Sequence, residues 1–127
     1  MSEPNLTQLI KRQPLEFPYL AFAKTGRMEA GKLKGWCELD LAFCGEEGFA
    51  GNVLFVTGRG VSEVSLKMTG ALFGLVLSVE DRKADQVEQR RYRVTETERG
   101  EISFFCDELR ARIGNGAEVE SDAHPPE

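Results

Sequence analysis

The stretch Met68–Val79, MTGALFGLVLSV, decides the fold, because it is the longest run in the chain without a charged side chain. From Ala71 to Val79 the only polar side chain is that of Ser78. The run is shorter than the roughly 20 apolar residues that a membrane-spanning helix needs. Its β-branched and aromatic residues, together with Gly70 and Gly74, favour a strand that is buried on both faces. We therefore expect it to be the central strand of the core.

On either side of this stretch, the pattern predicts short strands joined by turns that contain glycine. The clearest alternation of apolar and polar side chains runs from Lys32 to Cys44 and is typical of a half-buried strand. The turn Gly58-Arg59-Gly60 is expected to separate two of the other strands. Residues 15–23 are expected to be an edge strand or an extended lead-in, because Pro18 has no N–H to donate. The remaining strands are expected at residues 49–57, 61–68 and 87–95.

Two short helices complete the predicted elements. Residues 5–13 begin with Asn5, a good N-cap residue, and end before Pro14. Residues 101–106 fit either a strand or a helix, since apolar side chains recur at helical spacing at Ile102, Phe105, Cys106, Leu109 and Ile113. We favour a short strand there, followed by a helix at residues 107–113. Short strands with brief turns favour antiparallel pairing. The fold class is therefore predicted to be mainly β (α+β): a small antiparallel barrel or sandwich with short N-terminal and C-terminal helices.

Length and charge predict one domain with a tail. The chain has 127 residues, which suits a single globular domain at 1–113. Residues 114–127 carry four of the five net negative charges and few apolar side chains, so we expect an acidic disordered tail. The body is left nearly neutral. No duplex nucleic acid is expected as a partner, since binding to its phosphates depends on clustered lysine and arginine.

The cysteines and the N-terminal sequence predict a cytoplasmic location. Three cysteines cannot all pair within one chain, and residues 1–20 contain no uninterrupted apolar segment of the secretory type. Cys37 and Cys44 are seven residues apart and would lie on opposite faces of one strand, and the chain has no C-x-x-C pair. We therefore expect free thiols, no metal, no cofactor and no membrane partner.

No catalytic constellation is visible in the sequence. The only histidine, His124, lies in the tail, where it cannot be held beside a nucleophile. The acidic pairs Glu46-Glu47 and Glu96/Glu98 are expected in exposed turns, as surface charge. The protein is therefore predicted not to be an enzyme. A lone cysteine nucleophile, Cys44 or Cys106, would require a lowered thiol pKa.

The leading hypothesis for function is a non-catalytic, intracellular protein-binding module: an adaptor, inhibitor or immunity-type protein. Trp36 lies on the polar parity of its strand, with Lys34 and Glu38 on either side. Tryptophan is enriched at the energetic centre of protein interfaces, so these three residues are the predicted partner-binding site. The competing interpretation is that another layer, such as the N-terminal helix, covers Trp36.

The alternative hypothesis is a small β-barrel that binds a nucleotide or another anionic ligand. Its predicted site is Arg90, Arg91, Tyr92 and Arg93, because guanidinium groups grip phosphate or carboxylate and a tyrosine ring stacks on a base. The same residues also fit an edge strand whose arginines pair with nearby glutamates. An exposed edge at 15–23 or 87–95 would also allow a homodimer.

Overall fold

The computed structural model describes residues 6–27, 37–67, 74–81, 91–98 and 100–116. Seven strands form one antiparallel sheet, which is open rather than closed into a barrel, and one helix packs against it. The mainly β fold class is thereby confirmed. The helix and strands are α1 (Leu6–Glu16), β1 (Tyr19–Arg27), β2 (Cys37–Cys44), β3 (Asn52–Leu66), β4 (Leu77–Asp81), β5 (Tyr92–Glu96), β6 (Ile102–Cys106) and β7 (Glu108–Asn115), with a 3-10 turn at Gly48–Ala50.

The central strand is β3, and the prediction for Met68–Val79 was wrong. The strand order is β1-β2-β3-β6-β5-β4, with β7 paired to the first half of β3. Within the predicted stretch, residues 68–73 lie outside the described residues, and Leu77 begins β4 at the edge of the sheet. Side chains on both faces of β3 are buried between Val53 and Val56. This two-sided burial is the environment that the apolar run Met68–Val79 was expected to occupy.

Two β-bulges allow β3 to pair with β2 and β7 along its first half and with β6 along its second half. Arg59 pairs with Glu38 and Val61 with Cys37, so Gly60 is the extra residue of the first bulge, with φ of 67°. A second irregularity follows between Ser62 and Ser65. A bulge bends a strand and increases its twist. The predicted turn at 58–60 was therefore wrong, because the chain continues through it as one strand of 15 residues.

The predicted C-terminal helix at 107–113 was also wrong, because these residues form most of β7. β6 and β7 both run antiparallel to β3, with Phe105 opposite Ser62 and Glu108 opposite Arg59. The inward side chains of β6 are Ile102, Phe104 and Cys106, whereas those of β7 are Leu109, Ala111 and Ile113. The change of parity at Asp107 produced an apolar spacing that resembles a helical stripe.

Helix α1 packs across the inner face of the sheet and contacts both β7 and β4. Its buried residues are Leu9, Ile10 and Gln13. The helix does not end before Pro14, as predicted, but continues to Glu16, and the N–H of Phe17 donates to the carbonyl of Gln13 at 2.8 Å. The main core lies between α1 and the sheet. Its most deeply buried residues include Leu39, Leu41, Phe43, Leu54, Val56, Leu75, Val94, Ile102 and Phe104.

In the part of the chain that the structure describes, no helix has the length and apolar character needed to cross a membrane. The predicted domain boundary at residue 113 falls inside β7, which continues to Asn115. Residues 117–127, most of the predicted acidic tail, lie outside the described ranges.

Candidate partner-binding surface

One face of the sheet half β1-β2-β3-β7 points away from α1, and we call it the outer face. Strand register sets its composition, because directly paired residues of neighbouring strands share a face. Two cross-strand rows of mixed polar and charged side chains lie on it. They are Glu38–Arg59–Glu108 and Lys24–Asp40–Thr57–Arg110. A third row, Phe22–Ala42–Phe55–Arg112, leads to the apolar end of the face.

An ion pair joins Glu38, the only described residue of the predicted partner-binding site, to β3. The Arg59 Nε atom lies 3.3 Å from the Glu38 Oε2 atom, with about a third of each side chain exposed. Glu108 lies opposite Arg59 on the other flanking strand. The guanidinium group is therefore placed between two glutamates in neighbouring strands. Trp36 and Lys34 lie outside the described residues.

The second row is ordered by a short hydrogen bond. The hydroxyl of Thr57 donates to a carboxylate oxygen of Asp40 at 2.7 Å. Arg110 lies directly opposite Thr57 on β7 and is exposed. A carboxylate and a guanidinium group are thus separated by one strand on the same face. This arrangement leaves Arg110 available to a carboxylate from outside the row.

The third row ends in a cation–π contact. The guanidinium carbon of Arg112 lies 4.3 Å from the centre of the Phe55 ring. Phe55 belongs to a small buried cluster on this face, together with Ala42, Cys44 and Val53. The outer face is therefore apolar and buried toward Val53, and polar and half-buried toward Glu38.

The described residues of the predicted anion-binding site, Arg91 just before β5 and Tyr92 and Arg93 within it, form contacts inside the chain. Arg91 lies 3.4 Å from Asp81, and this hydrogen-bonded partner raises the pKa of the guanidinium group. Its side chain also lies 4.9 Å from the ring centre of Tyr92. Arg93 lies 5.9 Å from the ring centre of Phe105, while Arg90 is outside the described residues. The anion-binding hypothesis stays a prediction, which these contacts do not test.

Two buried polar side chains serve the fold, and the sequence pattern missed both of them. Gln13 is completely buried and bonds to the backbone at Leu75 and Leu77. Glu96, expected in an exposed turn, is only 2% exposed. Its carboxylate accepts hydrogen bonds from the N–H groups of Val76, Glu98 and Glu101. Glu96 therefore organises the loops at the end of β5.

The environment of the thiols disfavours a cysteine nucleophile. Burial raises the pKa of the Cys106 thiol to about 12 and also raises that of Cys44. The thiolate is the reactive form, so both thiols are expected to be poor nucleophiles near neutral pH. Among the described residues, no group of three or more histidine, cysteine, aspartate or glutamate side chains is placed to hold a metal ion.

The sequence pattern placed Glu38 on the outward side of its strand but missed the arginines that accompany it on the outer face. Arg59 was assigned to a turn, and Arg110 and Arg112 to a helix. Only the register of β2, β3 and β7 brings these side chains together. The alternation Leu109, Arg110, Ala111, Arg112, Ile113 was the available signal, since period two is typical of a strand.

Comparison with known protein families gives a match. A family model described as immunity protein PIM8 matches residues 2–112. Neither the curated proteins nor the solved structures contain a match. The matched range contains α1, the strands β1 to β6 and β7 as far as Arg112. Because the match covers well over half of the 127 residues, the chain belongs to the immunity protein PIM8 family.

Proposed function

We propose that this chain neutralises a toxin by binding it as a non-catalytic immunity protein. The observation that carries this proposal is the match of residues 2–112 to an immunity-protein family. The raised pKa values of Cys44 and Cys106 support a role without covalent chemistry. Binding alone can inactivate a toxin, because an occluded site cannot reach its substrate.

The polar end of the outer face is the proposed docking surface. Glu38 and Asp40 are half-buried and already held in place by Arg59 and Thr57. Side chains that are ordered before binding lose less conformational entropy when a partner docks. The sequence pattern assigns Trp36 and Lys34 to the parity of Glu38, so a tryptophan anchor is proposed beside these ordered charges.

Protection of growth tests the function. Proteins captured by the full chain in its own cells are expressed one at a time in a host, with and without this chain. A captured protein that stops growth, and whose effect the chain abolishes, supports the proposal. If the chain protects against none of its captured partners, the proposed function is wrong.

A non-catalytic mechanism also predicts how many molecules of the chain are needed for each molecule of toxin. Protection should require the chain in at least a one-to-one ratio to the toxin, because each bound chain blocks one toxin molecule. The ratio is measured by titrating purified chain into the toxin's activity assay. Full inactivation at a small fraction of equivalence, with chemical change of the toxin seen by mass spectrometry, would instead show catalysis.

A further inference from the structure

Strand β7 is paired on only one side in the described part of the chain. It runs antiparallel to β3, from Asn115 opposite Asn52 to Glu108 opposite Arg59. No described strand lies along its other side. An unpaired strand edge presents N–H and C=O groups that pair readily with a strand from another chain.

A groove of about 750 Å³ follows this edge. Leu6 and Leu9 of α1 form its apolar wall, together with Leu109 of β7. Among the described residues, its charged lining side chains are those of Arg59, Arg110 and Arg112. Arg59 already forms an ion pair with Glu38, so the exposed Arg110 and Arg112 are the arginines of the groove that a bound segment could reach.

The alternation of side chains along β7 indicates which kind of peptide segment could pair with its edge. Arg110 and Arg112 point to the outer face, whereas Leu109, Ala111 and Ile113 pack toward the main core. A strand added beside β7 would place its own alternate residues on these two faces. Acidic residues would then meet the arginines, and apolar residues would meet α1.

From this geometry we infer that the β7 edge binds an extended segment of the partner protein, in which acidic and small or apolar residues alternate. Backbone hydrogen bonds to β7 supply affinity, and the two arginines select carboxylates and fix the register. The inference rests on the proposed function only in assigning that segment to the toxin. The chain's own residues 118–123, Glu-Val-Glu-Ser-Asp-Ala, have the same alternation and are the competing occupant.

A labelled peptide with the sequence of residues 117–127 is a suitable probe, because it carries this alternation. Its binding to the full chain is measured by fluorescence anisotropy. A control peptide has the same composition with its four carboxylates placed consecutively. Binding should be weakened at least about tenfold in the double variant Arg110→Glu/Arg112→Glu, because two attractive contacts become repulsive. The matched variant Lys11→Glu/Lys67→Glu has the same change of charge at exposed positions outside the groove and should bind as the unaltered chain does.

Three results would overturn the inference. The first is equal binding of the two peptides, which would mean that charge alone is recognised. The second is unchanged binding in the Arg110→Glu/Arg112→Glu variant, with circular dichroism showing the native fold. The third is binding only to a full-length chain carrying Glu118→Gln, Glu120→Gln and Asp122→Asn, which would assign the edge to the chain's own tail.

The growth assay separates this inference from the proposed function. Protection that survives Arg110→Gln/Arg112→Gln would leave the immunity role intact and remove the β7 edge from it. Loss of protection in this variant, but not in Lys11→Gln/Lys67→Gln, would support both. The glutamine substitutions remove charge without introducing repulsion, so they also guard against loss of folding in the glutamate variant.

Discussion

The side-chain amide of Gln13 forms hydrogen bonds with the backbone at Leu75 and Leu77, as a neighbouring strand would. Its oxygen accepts the Leu77 N–H at 2.8 Å, and its nitrogen donates to the Leu75 carbonyl at 2.8 Å and to the Phe17 carbonyl at 3.0 Å. All the polar atoms of this buried side chain are therefore used. A single residue fixes helix α1 to the segment that leads into β4.

Replacing Gln13 with alanine should destabilise the protein by about 2–4 kcal/mol, because it leaves buried backbone groups at Leu75 and Leu77 without partners. The free energy of unfolding is measured by urea denaturation. The control is Lys11→Ala on the same helix, where the side chain is exposed and the expected change is under about 0.5 kcal/mol. Equal stabilities of the two variants would contradict the role of Gln13.

Replacing Glu96 with alanine should cost about 2–4 kcal/mol of unfolding free energy, because its carboxylate satisfies three backbone N–H groups. Glu98 is two residues away and exposed, so Glu98→Ala is the matched control with little expected effect. Thermal or urea denaturation gives both values. If Glu98→Ala were the more damaging substitution, the assignment of Glu96 as the structural carboxylate would fail.

Gly60→Ala should destabilise the protein by about 1–2 kcal/mol, since residue 60 has φ of 67°, where a Cβ atom is strained. Gly26→Ala on β1 is the control, because a Cβ at that position meets no atom within 4 Å. This second substitution should be neutral or slightly stabilising. Denaturation midpoints compare the two variants directly, and similar losses would argue against strain at the bulge.

Alkylation should distinguish the three thiols in the folded protein. Cys106 is fully buried with a thiol pKa raised to about 12, so iodoacetamide should modify it near neutral pH only after unfolding. Cys37 is partly exposed and should react first. Peptide mass spectrometry over a time course identifies the order. Rapid reaction of Cys106 in the native state would instead support the hypothesis that a lone cysteine acts as a catalytic nucleophile.

Trp36→Ala should weaken capture of the partner by about 2 kcal/mol, or roughly 30-fold, if Trp36 is a central anchor. Leu15→Ala removes another large apolar side chain, which is 85% exposed on α1, and should leave capture unchanged. Calorimetry with the identified toxin measures both, after circular dichroism has shown that each variant is folded. Unchanged capture by Trp36→Ala would remove this residue from the interface.

The fold class was predictable where a strand has one buried and one wet face. The alternation ending at Cys44 identifies β2, although only its first half has a partly exposed face, because both faces are buried from Leu41 to Cys44. It fails at Gly60, where a bulge changes the parity within β3, and at Asp107, where the chain bends between β6 and β7. At neither position can a local pattern show which strand lies opposite. The burial of Gln13 could not be predicted for a related reason, because its hydrogen-bond partners Leu75 and Leu77 lie more than 60 residues further along the chain.

The candidate site was predictable only in part. Glu38 could be assigned outward from its own strand, and the structure places it on the outer face. The pairing of Glu38 with Arg59, and the position of Arg110 one row away, depend on strand register. Register is set by the whole sheet, so a single stretch of sequence does not contain it.

Because β3 lies between β2 and β7 along its first half and pairs with β6 along its second, neither half of the sheet can separate without breaking backbone bonds of this strand. Amide hydrogen exchange should therefore be slowest in β3, with protection in β2 and β6 lost in the same opening event. Strands β6 and β7 follow β3 only after 35 or more residues, so folding has to close a long loop before these two pairings form. A sheet built around one shared strand should accordingly fold slowly and unfold as a single cooperative unit.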